Sequence, residues 1–315
     1  MASKIIERIL RTAGVPNLVD LLALRLSGSD LQSLLLEVYR RRAARRSARN
    51  LVEDYERNRF ARPSSLDPRR LSSLDHAAFA ALPAGFEPIT LSPVAPLGTS
   101  SIVAAVDQNL ALATIRNTEV LSDSTNALAL ECASRRRAVL GEDARSARQV
   151  KLAASHRLVR TQQYDDPRLL PHFQMFALVS AGRDEGAHRF EASSLPEHIG
   201  FYVELLLRGV GVPESRIRVS ITPLSEAFHQ IVGAIWLPDL AARFPGVRVE
   251  LDSARTQGRG YYENACFKLH AQPPGGEEIE LADGGFTDWT RQLLSNAKER
   301  FLISGIGMES VGAFF

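Results

Sequence analysis

The spacing of apolar and polar residues divides the chain into two regions of different texture. From about residue 3 to residue 58, apolar side chains recur at helical spacing, as Ile5, Ile6, Ile9 and Leu10 do, which predicts a run of helices. From Phe86 onward, short β-branched or aromatic runs alternate with turn residues, which predicts strands.

The stretch between these regions, ARPSSLDPRRLSSLDHAAFAALPAGFEP, is rich in Pro and Ser. Such a composition predicts a linker with at most one short helix. We therefore expect a helical N-terminal region with its linker over residues 1–83 and a second domain over residues 84–315.

The second region contains ten predicted strands: PITLSPVAPL, NLALATI, ALALECA, HRLVRTQ, HFQMFALVSA, RIRVSITPL, VRVELDSA, YYENACFKLHA, EEIELADGG and RFLISGIG. Helical spacing returns in EHIGFYVELLLRGVGV and FTDWTRQLLSNAKER. Short turns such as Pro-Pro-Gly-Gly join consecutive strands, which predicts a largely antiparallel sheet with helices packed against it, an α+β fold.

Composition and charge exclude several classes of protein. The 315 residues include 38 basic and 36 acidic side chains, so the chain has no overall attraction for polyanions. Cys132 and Cys266 lie in separate apolar segments without a CxxC spacing, which favours a reducing compartment over a zinc site. Acidic residues interrupt each apolar run of the N-terminus, which argues against a signal peptide or a membrane span. We therefore expect a cytoplasmic protein without membrane contact.

Two further sets of chemistry-bearing residues are the scattered histidines and a local run of arginines. The seven histidines show no HxxxH spacing and no pairing with Cys, so we expect no metal site. The N-terminal region carries a dense arginine cluster, made of Arg40, Arg41, Arg42, Arg45, Arg46 and Arg49. This cluster fits either a tRNA contact or a solvated helix face. The absence of interleaved aromatic residues for base stacking favours the solvated face.

Three further segments stand out in chain order: HRLVRTQQYDDPRLLPHFQMFALVSAGRD, RTQGRGYYENACFKLHAQPPGGEEIELADGGFTDWTRQLL and ISGIGMES. Together they resemble class II aminoacyl-tRNA synthetases, most nearly the histidyl branch and its relative, the regulatory subunit of ATP phosphoribosyltransferase. The resemblance covers roughly Gly85 to the C-terminus. It implies a class II synthetase-like antiparallel sheet flanked by helices, preceded here by the helical N-terminal region.

The first segment resembles the strand–loop–strand motif 2 of that family. The resemblance makes Arg160 the α-phosphate ligand, Arg168 the loop residue that reaches ATP, and Phe173 the ring that stacks on adenine. A planar guanidinium suits phosphate because it binds two oxygens at once and keeps its charge. Gln162 stands where the family has Glu, so it adds no negative charge there. The alternative is a surface hairpin with a charged tip.

The second segment resembles the amino-acid pocket of the histidyl branch. Tyr261 and Tyr262 fall on a Tyr-Tyr strand, and Arg259 lies close to, though not in register with, the family's catalytic Arg. Three more residues, Gly284, Gly285 and Asp288, fall on a glycine turn that opens the next helix, where glycine allows a positive φ and close approach to a ligand. The alternative is a hairpin followed by a capped helix.

The third segment resembles motif 3, which ends Gly-x-Gly-x-Glu-Arg. Gly305, Gly307 and Glu309 match it as nucleotide-binding positions, but Ser310 replaces the Arg that holds the γ-phosphate. Losing that contact weakens ATP binding by about 1.5–3 kcal/mol if it resembles other hydrogen bonds to charged groups.

A predicted strand upstream, ALALECA, also departs from the family. Ala133 replaces the Glu that binds the substrate's amino group, and Glu131 is the substitute from a shifted register. Histidine is therefore a disfavoured substrate.

The resemblance leaves two main hypotheses open. The first is a paralogue without a tRNA-charging role that binds a nucleotide or adenylate and a small amino or carboxylic acid, acting as an acyl-adenylate-forming ligase with ATP and Mg²⁺. The second is a non-catalytic regulatory or structural partner subunit. Under either hypothesis we expect the chain to have a protein partner or to form a homodimer. Under either we also expect no anticodon-binding domain after motif 3. A tRNA-binding module rests on the arginine cluster alone.

Overall fold

The computed structural model describes residues 2–161 and 171–315 and divides them into two units. The first unit consists of Met1–Arg62 together with Ala113–Thr118, and the second of Pro63–Leu112 together with Glu119–Phe315.

The first unit is built from helices, as the apolar spacing predicts. They are α1 (Ala2–Ala13), α2 (Leu18–Asp20), which continues as a π-helical Leu21–Arg25, α3 (Gly28–Ala43) and α4 (Ala48–Arg57). Ser27 caps α3 by accepting a hydrogen bond from the Asp30 amide at 3.1 Å, and Ser47 begins α4 with a capping box. None of the side chains described in this unit is buried.

Most of the arginine cluster is already paired within the first unit. Arg40 and Arg41 donate to Glu37, and Arg49 donates to Glu53. Arg46 also forms an ion pair with Asp54. These local pairs favour the solvated-face interpretation of the cluster over a phosphate-binding one.

The helices of the second unit are α5 (Pro68–Ala80), α6 (Ser124–Glu142), α7 (Arg189–Glu204), α8 (Glu226–Ile231), α9 (Leu237–Arg243), α10 (Trp289–Leu294) and α11 (Met308–Phe314). Its large sheet contains β1 (Phe86–Pro88), β5 (Val150–Val159), β6 (His172–Arg183), β7 (Ile217–Pro223), β8 (Arg248–Leu251), β9 (Glu263–Ala271), β10 (Ile279–Thr287) and β11 (Glu299–Gly307). Three short strands, β2 (Val94–Pro96), β3 (Leu112–Ala113) and β4 (Thr118–Val120), form a separate small sheet.

The large sheet has the order β1-β5-β6-β11-β10-β9-β7-β8. Its inner pairs are antiparallel, and parallel pairing among the described strands is limited to the outer pairs β1–β5 and β7–β8. The Pro-Pro-Gly-Gly turn joins β9 to β10 as predicted, with Ala271 opposite Ile279. The predicted α+β class, a mostly antiparallel sheet flanked by helices, is therefore confirmed.

Each face of this sheet packs against its own apolar cluster. Helices α5, α7 and α11 cover one face, where Phe176, Leu178 and Leu302 are fully or almost fully buried. Helix α6 covers the other face, where Leu152, Ala177 and Ile303 meet Leu128 of the helix. The strand alternation separates these two sets, because successive side chains point to opposite faces.

One predicted strand, ALALECA, is wrong, because these residues form the middle of α6. Leu128, Ala129 and Cys132 are fully buried at helical spacing, and Ala and Leu are strong helix formers. The preceding Asp123 caps the helix, since its carboxylate accepts a hydrogen bond from the Thr125 amide at 2.9 Å.

The predicted glycine turn is also wrong. Gly284 and Gly285 lie inside β10, where they pair with Ser304 and Ile303 of β11, and neither has a positive φ. Both positions are glycine because the neighbouring atoms leave no space for a side chain. A Cβ at Gly284 would lie 2.7 Å from the backbone oxygen of Ile303, and one at Gly285 would lie 2.6 Å from the Tyr262 ring.

Candidate functional site

A cavity of about 390 Å³ opens on the face of the sheet that α6 covers. It collects side chains from the start of α6, the end of β5, strands β6, β10 and β11, and the segment before β9. Its lining residues are Asp123, Thr125, Arg160, Phe173, Met175, Tyr261, Tyr262, Glu280, Leu281, Ala282, Asp283, Ile303, Ser304, Gly305 and Gly307.

Arg160 is the residue around which one wall of the cavity is arranged. It follows β5 directly, and its backbone amide donates to the Pro171 carbonyl at 2.7 Å. Its guanidinium donates to the Ser122 carbonyl at 3.0 Å and to the Asp123 carboxylate at 3.2 Å. It also lies 5.0 Å from the centre of the Phe173 ring, within the range of a cation–π contact. These contacts hold the guanidinium beside the cavity.

Asp123 and Thr125 lie on the same wall, although the sequence did not single them out. The Thr125 hydroxyl donates to the Asp123 carboxylate at 2.7 Å. Both residues open α6, where the positive end of the helix dipole favours a carboxylate. The Asp-Ser-Thr sequence ahead of an apolar helical pattern is the signal that would have found them.

A second ion pair reaches the cavity through Asp283, and its Arg255 guanidinium lies 5.7 Å from the centre of the Tyr262 ring. Arg255 is 8% exposed and donates to the Asp283 carboxylate at 3.0 Å and to the Phe267 carbonyl at 3.2 Å. Burial raises the pKa of Asp283, and the neighbouring Arg255 opposes that rise without cancelling it. Burial also raises the pKa of Tyr261 and Tyr262, so both phenols keep their protons and stay hydrogen-bond donors.

Of the two residues predicted to be catalytic, Arg160 lines the cavity and Arg259 does not. Its Nε donates to the backbone carbonyl of Arg255 at 3.0 Å. The buried guanidinium near the tyrosines therefore belongs to Arg255, four residues earlier.

Glycines form part of the cavity lining on β11. Gly305 faces Met175, and a Cβ there would lie 2.9 Å from the Met175 sulfur. Gly307 ends the strand immediately before α11, and a Cβ there would reach the Ser310 hydroxyl at an ordinary 3.5 Å. Small residues at these positions keep the lining open.

Six predicted site residues of the described chain are absent from this lining, namely Arg259, Gly284 and Gly285, whose positions are given above, and three more. Glu309 accepts a hydrogen bond from Arg157 at 2.5 Å and another from the amide of Gln174. Glu131 pairs with Arg135 at 2.7 Å and lines a separate groove. The third, Asp288, begins α10 and accepts from the Gln292 side chain at 2.7 Å. Gln162 and Arg168 lie outside the described residues.

A side chamber of about 190 Å³ adjoins the cavity and shares Asp123, Arg160 and Tyr261 with it. Part of its wall is apolar, formed by Ala104, Val106 and Leu110. Asn126 also lines it and is buried.

No protein-family model matches the sequence, and no curated protein matches it either. Solved structures do match. An ATP phosphoribosyltransferase regulatory subunit/histidyl-tRNA synthetase from Bacillus halodurans is 15% identical, with a TM-score of 0.59 over 81% of this chain and 82% of that one. This chain has a class II synthetase-like fold.

Two further structures support the same fold. The histidyl-tRNA synthetase of S. aureus is 15% identical, with a TM-score of 0.54 over 77% of this chain and 64% of that one. A histidine–tRNA ligase subunit from Alicyclobacillus acidocaldarius is 12% identical, with a TM-score of 0.55 over 80% of this chain and 96% of that one. At these identities the likeness concerns the fold, and the activity has to be argued from the site.

The charged side chains around this cavity balance one for one. Its described lining contains three carboxylates, those of Asp123, Glu280 and Asp283. Each carboxylate forms an ion pair with a different basic residue. Asp123 pairs with Arg160 at 3.2 Å, Glu280 with Lys268 at 2.7 Å, and Asp283 with Arg255 at 3.0 Å. A cavity of this kind suits a ligand whose own charges also balance.

ATP, the cofactor that the fold family implies, does not fit this described lining. A triphosphate brings several negative charges, but Arg160 is the one basic side chain among the described lining residues and is already paired with Asp123. Within residues 2–161 and 171–315, no three His, Cys, Asp or Glu side chains cluster in a way that could hold Mg²⁺.

Among the helices of residues 2–161 and 171–315, none is both long and apolar enough to cross a membrane.

Proposed function

We propose that this chain is a class II synthetase-like paralogue that binds a small amino acid as its zwitterion and has no tRNA-charging role. The observation that carries the proposal is the pairing of Arg160 with Asp123 at 3.2 Å on one wall of a cavity closed elsewhere by tyrosines. A positive and a negative group side by side are the complement of an ammonium and a carboxylate on one carbon atom.

Each end of the zwitterion has named partners in this proposal. The ligand's ammonium binds the Asp123 carboxylate and the Thr125 hydroxyl, and its carboxylate binds the Arg160 guanidinium. The phenols of Tyr261 and Tyr262 donate to polar atoms of the ligand. Gly305 leaves room on the β11 side. A buried charge is tolerated when it is paired in this way.

An aminoacyl-adenylate is the second candidate ligand. Its single phosphate charge is balanced by its own ammonium, so it matches the one-for-one charges of the cavity where ATP does not. Arg160 and Phe173 favour it, because they are the residues that the family resemblance assigns to the phosphate and to adenine. ATP with Mg²⁺ receives no role at the described lining, and Ser310 agrees with that assignment.

A protein partner is the remaining part of the proposal. The structure from Bacillus halodurans, matched over 81% of this chain and 82% of that one, is named a regulatory subunit/synthetase, which supports a role beside another subunit or as a homodimer.

Thermal unfolding with added ligands tests the proposal. Each amino acid, aminoacyl-sulfamoyl-adenosines, and ATP with and without Mg²⁺ are added separately. We expect at least one amino acid to raise the midpoint and ATP to leave it unchanged. Arg160→Ala should remove the increase, whereas Arg208→Ala, at an exposed position of the π-helical segment Leu205–Val210, should keep it. A midpoint raised by ATP alone, or no response to any amino acid, contradicts the proposal.

A further inference from the structure

The side chamber lies beside the Arg160–Asp123 pair, so a ligand held by that pair can extend into it. It has a volume of about 190 Å³ and shares Asp123, Arg160 and Tyr261 with the main cavity. An apolar cavity of about 150 Å³ can hold a benzene molecule. The chamber is therefore large enough for the side chain of an amino acid whose ammonium and carboxylate are held by the pair.

The wall of the chamber is uncharged beyond that shared pair. Ala104, Val106 and Leu110 make part of it apolar. Among its described lining residues, the charged ones are Asp123 and Arg160, and they pair with each other at 3.2 Å. A further charge on the ligand's side chain would enter the chamber without a partner, which is unfavourable. The chamber therefore favours a side chain that is neutral and partly apolar.

One buried polar group of the chamber lacks a partner. Asn126 is 2% exposed, and its Oδ1 has no hydrogen-bond partner in the part of the chain that the structure describes. By contrast, the Ser122 hydroxyl hydrogen-bonds the Ser100 hydroxyl at 3.1 Å, and the Thr161 hydroxyl donates to the Leu110 carbonyl at 2.9 Å. Buried polar groups are normally hydrogen-bonded. An unpartnered amide at the wall of a chamber leaves a hydrogen bond for a ligand to complete.

A primary carboxamide is the neutral group that satisfies Asn126 most completely. The Asn126 amide has an acceptor oxygen and a donor NH₂ group, and a carboxamide offers the same two groups in return. The match holds whichever way the Asn126 amide is turned. A hydroxyl can bond only one of the two groups at a time, and an alkyl chain or a thioether leaves the NH₂ and the oxygen without a good partner.

We propose that the side chamber receives the carboxamide side chain of glutamine or asparagine, and that Asn126 is the residue that selects it. This inference rests on the proposed function, because the Arg160–Asp123 pair has to hold the ammonium and the carboxylate of the same ligand. It applies to a free amino acid and to the amino-acid part of an aminoacyl-adenylate alike.

Calorimetric titration of the full chain with different amino acids tests this selection. Glutamine and asparagine carry the carboxamide, glutamate and aspartate are their charged isosteres, and methionine is an apolar side chain of similar length. Glycine has no side chain and reports on the Arg160–Asp123 pair alone. We expect glutamine or asparagine to bind about tenfold or more tightly than its isostere and than methionine, because a site built to hydrogen-bond a ligand rejects analogues that lack the bond.

Asn126→Leu separates selection from a structural role. Because the Asn126 Oδ1 has no partner among the described residues, we expect the variant to be at least as stable as the unchanged protein in urea unfolding. Its affinity for the preferred carboxamide should fall about tenfold or more, and methionine should bind at least as tightly as before. A purely structural role predicts lower stability with an unchanged preference. Asn17→Leu, at an exposed helix cap without a side-chain hydrogen bond, is the matched control and should keep both properties.

Val106→Phe tests the chamber itself, and it serves also if Asn126→Leu does not fold. Val106 is half-buried, so a larger ring there can fill the chamber. The variant should weaken the binding of the carboxamide amino acid about tenfold or more and leave glycine affinity unchanged.

The outcomes separate this inference from the proposed function. The inference is overturned, and the proposed function stands, if amino acids bind without a preference for the carboxamide. The same holds if Asn126→Leu keeps the preference, or if Val106→Phe weakens glycine as much as the carboxamide amino acid. Failure of every amino acid to bind the unchanged protein overturns both.

Discussion

The Arg160 guanidinium donates to the Asp123 carboxylate at 3.2 Å, so the residue that follows β5 is held by the residue that caps α6. This pair joins the start of α6 to the end of β5, the next element in the chain, across 37 residues and at one wall of the cavity. It also separates two roles of Asp123, which caps the helix through one oxygen and meets Arg160 through the other.

Asp123→Asn should therefore impair binding and leave folding intact. Asparagine is as good a helix cap as aspartate, but it lacks the charge that pairs with an ammonium. We expect amino-acid affinity to fall about tenfold or more, consistent with about 1.5–3 kcal/mol for a hydrogen bond to a charged group. Calorimetric titration measures the affinity and urea unfolding measures the stability. Equal affinities of the two proteins would remove Asp123 from the site.

Gly284→Ala should destabilise the sheet more than Gly305→Ala does. A Cβ at Gly284 meets the backbone oxygen of Ile303 at 2.7 Å, which cannot move without displacing β11. A Cβ at Gly305 meets the flexible side chain of Met175, which can rotate away. We expect a loss of about 1–3 kcal/mol for Gly284→Ala, the usual range for overpacking. Urea unfolding of the two variants measures both losses of stability. A larger loss for Gly305→Ala than for Gly284→Ala would contradict the prediction.

The free energy of unfolding should depend strongly on the buried ion pair between Arg136 and Glu299. Both side chains are 0% exposed, and they make two hydrogen bonds at 2.8 and 2.9 Å. Glu299→Leu leaves a buried guanidinium without its carboxylate and with only the backbone carbonyls of Ser146 and Arg148 as hydrogen-bond partners, so we expect a loss of about 3–5 kcal/mol. The double variant Arg136→Met/Glu299→Leu should recover much of this loss in the same unfolding measurement. A double variant as unstable as the single one would show that packing, and not charge, dominates.

His198 should make the fold less stable in mild acid. Burial, with a smaller effect of the Lys151 charge, lowers the pKa of His198 from 6.5 to about 3. Between these values the unfolded chain binds a proton that the native chain does not, so stability falls with falling pH by up to about 1.4 kcal/mol per pH unit. His198→Gln, which can still contact Ser180 and Ser304, should flatten this slope. Identical pH profiles of the two proteins would contradict the assignment.

Strand patterns predicted the large sheet well because its strands have β-branched or aromatic runs bounded by turn residues. ALALECA failed because a short apolar run fits a buried helix as well as a strand, and the decisive Asp123 cap precedes it. The division of the chain near residue 83 stays a prediction.

The candidate site was only partly visible in the sequence. Arg160, Phe173, Tyr261 and Tyr262 were found through a family resemblance, and they line one cavity. Arg255 was missed because its role depends on a contact with Asp283, which lies on β10, 28 residues further along the chain. Pairings between residues distant in the chain leave no periodic signal in a single sequence.

The most direct measurement is a calorimetric titration that removes one ligand charge at a time. It compares the amino acid that raises the thermal midpoint most with its N-acetyl derivative and its amide, because the first lacks the ammonium and the second lacks the carboxylate. A site made of Asp123 and Arg160 predicts that the zwitterion binds and that each derivative loses about tenfold or more in affinity. Binding of either derivative as tight as that of the zwitterion, or binding of Mg²⁺-ATP tighter than that of any amino acid, would contradict the account.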